Sequence, residues 1–380
     1  MGRKVALNLC ALLLGIILSL GLLEIALSIH NPVMQTVKGG KVVPPAYSDE
    51  IHRNSGIAGV APEIHIHQNS LGFRGADPPA DFADRLSLIT VGGSTTRSAP
   101  QSDNNTWTAL LGDAVADCFD RTWINDAGFD GHTSFAHIDL IRNYINQVHP
   151  KVVVMLIGAN ELYADSPNTQ HREQIRLDPN FNNGIKGFFY ALARRSEVVG
   201  LGSTLYRSFR AWKAGLNYGY NDWANLAEGD AMPSDGEANL AVAREMQPNY
   251  AARLHLILRL LRDEQTIPVL ITQPTVGGIA RDPTTGKELS RLRYGLFWYQ
   301  SFEIYNDTMR HVAQSENVHL IDLARTMPKD TKYYLDTVHY TDAGAKKVAE
   351  LVAGGLLPYL AQKFPFDNKG GCQNHAVNPG

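Results

Sequence analysis

The chain has 380 residues, 44% of them apolar and 19% charged, which excludes a disordered or collagen-like polymer and leaves room for at least one large buried core. Thirty-five Lys and Arg against 38 Asp and Glu give a formal charge of −3, so no global attraction to nucleic acid is expected. Three cysteines, at 10, 118 and 372, are too few and too scattered for a disulfide scaffold or a four-cysteine zinc site, although Cys118 and Cys372 remain a conceivable pair.

Residues 1–30 stand apart. Arg3 and Lys4 precede an apolar run from Val5 to Leu23, interrupted only by Asn8, Gly15, Ser19 and Gly21. Nineteen residues of helix at about 1.5 Å each reach roughly 28 Å, close to the roughly 30 Å hydrocarbon core of a bilayer. The segment reads as a single-pass membrane anchor. A cleaved signal peptide is the rival, with Ala26-Leu27-Ser28 as a weak cleavage site. The two N-terminal cations favour a cytoplasmic N-terminus, which makes the remainder extracytoplasmic, periplasmic or extracellular.

Residues 31–68 are rich in Pro, Gly and polar types and read as a lead-in or stalk. Short β-rich runs then alternate with helical spacing. The predicted strands are Leu86–Val91, Thr122–Asn125, Val152–Ile157, Ile267–Thr272 and Val318–Ile321. The predicted helices are Trp107–Val115, Ala136–Val148, Pro248–Arg262, Phe302–Gln314 and Asp342–Leu357. Nearly continuous apolar strands imply burial on both faces, hence an α/β protein with a three-layer α/β/α arrangement around a parallel sheet. An insertion at about 162–246 interrupts a domain running from 69 to 365, and 366–380 read as a tail.

In such a sheet ligands bind where strands end, which directs attention to four segments. The first strand runs into Gly92-Gly93-Ser94-Thr95-Thr96, a turn that presents a small hydroxyl. Its bland reading is Ser94 as a helix N-cap; a phosphate loop is disfavoured because no Lys occupies the Walker position. The second strand leads to Gly128-Phe129-Asp130-Gly131-His132, with two glycines that permit close backbone approach. The third ends at Gly158-Ala159-Asn160-Glu161, placing an amide there. The fourth segment, Asp336-Thr337-Val338-His339, precedes the last helix, where Thr341 or Asp342 suits the cap.

A serine hydroxyl becomes a competent nucleophile when an imidazole takes its proton, and the oxyanion that forms needs aimed donors. Ser94, His339 and Asp336 meet the first need. The Ser94 and Gly131 N–H groups and the Asn160 amide meet the second, with Gly128 as the alternative to Gly131. His65 and His67 alternate onto one strand face with no third ligand near, so no metal site is expected there.

The four segments, in this order over about residues 69–355, resemble the blocks of the SGNH (GDSL-type) hydrolase superfamily. The lead-in Asn69-Ser70-Leu71-Gly72-Phe73-Arg74-Gly75 is similar to that of its membrane-anchored bacterial members. The resemblance implies a flavodoxin-like five-stranded parallel sheet, no metal or other cofactor, and ester or acyl-transfer chemistry. It assigns Ser94 as nucleophile, Gly131 and Asn160 as oxyanion donors, His339 as base and Asp336 as its partner. Gly93 and Glu161 depart from it, since many members carry Asp at both positions. The expected function is a serine esterase acting on an acylated small molecule or polysaccharide through an acyl-serine intermediate. The alternatives are an O-acyltransferase modifying a cell-surface or secreted polysaccharide, and a non-catalytic carbohydrate-binding or assembly protein. The loop Pro274–Leu296, with Arg281, Arg291 and Arg293, is either a lid or a solvated surface.

Overall fold

The computed structural model describes residues 2–29, 37–38, 41–54, 56–164, 191–193, 195–213, 220–365, 367 and 369. Cys372 lies outside them, and Cys118 is a buried free thiol. The chain divides into two compact units, one of residues 1–45 and 173–217, the other of 46–172 and 218–380.

The second unit is built on five parallel strands: β3 (Leu86–Gly92), β4 (Thr122–Gly128), β5 (Val152–Leu156), β6 (Ile267–Ile271) and β7 (His319–Ile321). An antiparallel hairpin of β1 (Asp49–Arg53) and β2 (Glu63–His67) precedes them. The sheet order β4-β3-β5-β6-β7 is the flavodoxin-like 2-1-3-4-5 arrangement, whose strand order reverses between β3 and β5. Every residue of β3 and β5 is buried, as the apolar run of β5 and the nearly continuous one of β3, broken by Ser87 and Thr90, demand. Pro268 is tolerated in β6 because pairing with β7 starts only at Val269.

Helices α2 (Trp107–Cys118) and α6 (Asp342–Lys363) cover one face. Trp107, Leu111 and Val115 of α2 and Val348, Val352, Leu356 and Leu360 of α6 form one core with Leu86, Leu88, Val152, Val154 and Val269. Helices α3 (Ser134–Leu140), α4 (Gly236–Asp263) and α5 (Gly295–Ser315) lie on the other. After α3 the chain passes through a π-helical segment, Ile141–Ile145, before a last turn of α-helix at Asn146–Val148.

Four helices, α2, α4, α5 and α6, run past the bounds their spacing predicts, α2 only by its last turn to Cys118. Helix α4 starts at Gly236 and runs unbroken through Pro248 and residue 246. A proline inside a helix costs about 3 kcal/mol. Burial of Leu240, Ala243, Met246 and Tyr250 on one face spans it and offsets that cost. Helix α5 likewise begins at Gly295, and α6 continues past Pro358 to Lys363 because Leu360 is still buried. Thr341 caps α6, its hydroxyl accepting the Gly344 N–H.

In the other unit, helix Gly2–Ile29 contains one span, Lys4–Ile29, long and apolar enough to cross a membrane. The same unit holds helix Glu197–Lys213 and a two-residue strand pair, Val37–Lys38 with Lys41–Val42.

Candidate active site

Ser94 opens a four-residue helix, α1 (Ser94–Arg97), directly after β3, with Gly93 in the N-cap position. Its hydroxyl is therefore free for other work, and it meets His339 Nε2 at 2.8 Å. The ring's other nitrogen, Nδ1, lies 2.7 Å from Asp336 Oδ2. The Asp-x-x-His spacing works because Asp336 Oδ1 accepts the backbone N–H groups of both Val338 and His339 at 2.9 Å, folding the turn so that the ring faces its own carboxylate. Burial is the largest influence on Asp336 and favours the neutral acid. The His339 ring and the His339 and Val338 amides together outweigh it and hold the carboxyl below its usual range.

Asn160, at the end of β5, turns its Nδ2 onto the same strand end, donating to the His132 carbonyl at 3.0 Å. A Cβ at Gly93 would lie 2.9 Å from that nitrogen, so the glycine leaves room for the amide beside the Ser94 turn. Gly131 has φ +69°, a left-handed conformation that suits glycine, and sits exposed in the turn between β4 and α3. Gly128 instead is the last residue of β4, where a Cβ would meet the Arg97 backbone nitrogen at 2.3 Å. The structure thus joins Ser94, His339 and Asp336 by hydrogen bonds, brings Asn160 to Gly93, and puts Gly131 one residue before the His132 carbonyl.

The loop after β6 ties the two halves of the site together. Gln273 Oε1 accepts the Thr95 hydroxyl at 3.0 Å, while the Thr275 hydroxyl and Val276 N–H both donate to the Thr337 carbonyl. Gln101 Nε2 reaches the Tyr340 carbonyl at 2.9 Å. Arg281, Arg291 and Arg293 are exposed, and the first two hydrogen-bond to the Gly286 and Gly229 carbonyls. This segment's first residues are buttresses under the His339 turn, a role its sequence did not signal.

The model for the GDSL-like lipase/acylhydrolase family matches residues 89–347, a stretch that contains all four segments. The chain belongs to that family. The hydrolase acts on ester bonds. No curated protein matches it. Similar solved structures include TesA, at 16% identity and TM-score 0.39 over 72% of this chain and 98% of that one. A lipase/acylhydrolase from Enterococcus faecalis has 14% identity and TM-score 0.38, over 74% and 97%. The psychrotrophic esterase EstA from Pseudoalteromonas sp. has 10% identity and TM-score 0.39, over 72% and 98%.

Glu161, one of the two departures from the family pattern, is fully buried. Its carboxylate accepts the Ser134 N–H at 2.6 Å and hydroxyl at 2.8 Å and pairs with Arg253 at 3.1 Å. Arg253 Nε donates to the Ser134 oxygen at 2.6 Å, and its guanidinium lies 4.4 Å from the Phe135 ring centre. This buried cluster clamps the start of α3, three residues after Gly131, to the residue following Asn160. Arg253 escaped sequence reasoning, yet an arginine on the apolar face of α4, among Tyr250, Leu254 and Ile257, was a visible signal.

Two more histidines of the hydrolase, His132 and His137, lie near this strand end but are buried; the His132 ring has no hydrogen-bond partner among the described residues, and the His137 ring has only a weak contact with the Gly92 backbone. Burial, then the neighbouring His137, pushes His132 well below the imidazole range, and burial brings His137 down to about 4. Both are neutral packing groups. On the β1–β2 hairpin His65 pairs with Glu63 and His67 with Asp49, both exposed. Among the described residues no three His, Cys, Asp or Glu side chains cluster to hold a metal.

Asp126, near the end of β4, supplies a pH prediction. Burial pushes its carboxyl up to about 7 against the attraction of Arg74, the Gly128 N–H and Arg97. The folded hydrolase keeps a proton that the unfolded chain loses above about pH 4. The associated stability is complete below that pH and is lost as pH rises through about 7. Asp126→Asn preserves the shape without titrating, so its melting temperature is expected to decline less than the wild type's between about pH 5 and 8. Parallel declines would show that Asp126 ionises normally.

Proposed function

We propose that the protein is a serine esterase that cleaves O-acyl esters through an acyl-Ser94 intermediate, held in a membrane by its N-terminal helix with the catalytic unit outside the cytoplasm. The observation that carries this reading is the relay from Ser94 Oγ through His339 to Asp336, with contacts of 2.8 and 2.7 Å.

His339 Nε2 takes the hydroxyl proton as Ser94 Oγ attacks the ester carbonyl carbon, and Asp336 stabilises the imidazolium that forms. The tetrahedral oxyanion is held by the Ser94 and Gly131 N–H groups and the Asn160 amide. His339 then returns the proton to the departing alcohol as the C–O bond breaks. Water, deprotonated by the same ring, attacks the acyl-serine and releases the acid. A sugar hydroxyl in place of that water would make the reaction an acyl transfer, and esters carried on a carbohydrate fall within the proposed substrate class.

Hydrolysis of p-nitrophenyl esters of short and long acids by the full chain, compared with Ser94→Ala, tests the reading. Equal rates for the two proteins would sink it. Asn160→Ala is expected to lower kcat by about 10²–10³-fold with little change in KM, the usual effect of losing one oxyanion donor. A KM-only effect would assign Asn160 to substrate binding.

A further inference from the structure

We infer that helix Glu197–Lys213 docks on the lipid surface of the membrane that the N-terminal helix spans. The inference rests on the anchor reading above and concerns only the unit of residues 1–45 and 173–217.

Glu24 lies near the end of the apolar segment, about where a span of roughly 20 residues starting at Val5 reaches the bilayer boundary. Its carboxylate accepts the N–H groups of Glu197 and Val198 and the hydroxyl of Ser196, so it caps the start of the second helix. These bonds fix that start at the level of the interface. An ion pair between Lys38 and Glu197 adds a second tie.

Coverage of the second helix changes along its length. Near the anchor, Val198, Val199 and Leu201 are half-buried and Gly200 is buried. A turn further on, Leu205, Tyr206 and Phe209 are 54%, 63% and 57% exposed. Each of these three large side chains keeps more than half of its surface exposed, and Phe209 lies at i+4 from Leu205 and i+3 from Tyr206, the spacings of neighbours on a helix surface. The helix's sequence has one acid, Glu197, and three bases, Arg207, Arg210 and Lys213, all in its second half. A half-helix with exposed apolar side chains and a sequence that carries three bases and no acid, pinned at one end to the interface, fits an anionic bilayer surface. The whole chain's formal charge of −3 hides this local cluster.

The test places the full chain in vesicles of phosphatidylcholine and phosphatidylglycerol doped with a diazirine-bearing lipid, and maps lipid adducts by peptide mass spectrometry. Adducts are expected in both Gly2–Ile29 and the 205–209 region. In Leu205→Glu/Phe209→Glu, adducts in the second region should drop at least several-fold while those in Gly2–Ile29 persist. Adducts confined to Gly2–Ile29 would overturn the docking and leave the anchor standing. Adducts in neither segment would overturn both. In parallel vesicles, a photoreactive benzoylphenylalanine in place of Tyr206 that links to a second chain, with no lipid adducts at 205–209, would assign these side chains to a second copy and overturn the proposal.

Discussion

Ser94→Ala and His339→Ala are each expected to cut kcat for ester hydrolysis by about 10⁴–10⁶-fold, and the double substitution to cost no more than the worse single one. Non-additivity follows from the geometry: the Ser94 hydroxyl and His339 Nε2 share one proton at 2.8 Å, so removing either group removes the same step. Residual activity over water would come from the oxyanion donors, which neither substitution touches. Asp336→Asn should approach a 10⁴-fold loss, about the effect of the same exchange in serine proteases. Its amide oxygen can still accept the Val338 and His339 N–H groups, but an NH₂ facing Nδ1 forces the wrong tautomer on the ring. Steady-state rates on one p-nitrophenyl ester, with circular dichroism to confirm folding, check all four variants. If the double variant lost the product of the two single effects, Ser94 and His339 would act in separate steps.

How much of this was legible depended on whether the information was local. Strand β5 is a continuous apolar run and β3 a nearly continuous one, so burial on both faces could be read off directly, and all five parallel strands fall within the predicted runs or extend them. Strand β4 runs three residues further, to Gly128, because Asp126 and the glycine after Ala127 break the apolar pattern while the backbone goes on pairing with Val91 and Gly92. The hairpin partner β1 (Asp49–Arg53) was hidden, since four of its five residues are exposed and leave no burial pattern. Helix α4 was truncated in the sequence because Pro248 looks like a helix start, and only the burial of Leu240 and Ala243 against other elements reveals the preceding turns. At the site, Ser94, Asn160, Asp336 and His339 each follow a strand or precede a helix, where position alone marks them. Gln273, Thr275 and Arg253 act through contacts 62 to 178 residues away in sequence, and no short motif encodes those.

The buried cluster of Glu161, Arg253 and Ser134 carries the largest expected effect on stability. Arg253→Met leaves a carboxylate with no exposure beside an apolar chain, and breaking a buried pair in this way costs about 3–5 kcal/mol. A carboxylate deprived of its cation rises in pKa, so the loss should be smaller at low pH, where Glu161 can protonate. Glu161→Leu/Arg253→Met removes both charges and should recover most of the stability, because an apolar replacement of similar volume avoids the desolvation cost of both ions. Catalysis should separate from stability in that double variant. With the carboxylate gone, the Ser134 N–H at the start of α3 loses its Glu161 acceptor, and the turn carrying Gly131 loses its tie to the residue after Asn160. A restored melting temperature with kcat still reduced at unchanged KM would identify the cluster as a positioning device for the oxyanion donors. Recovery of kcat together with stability would reduce it to a packing element, whose charges could be exchanged for hydrocarbon without consequence for the reaction.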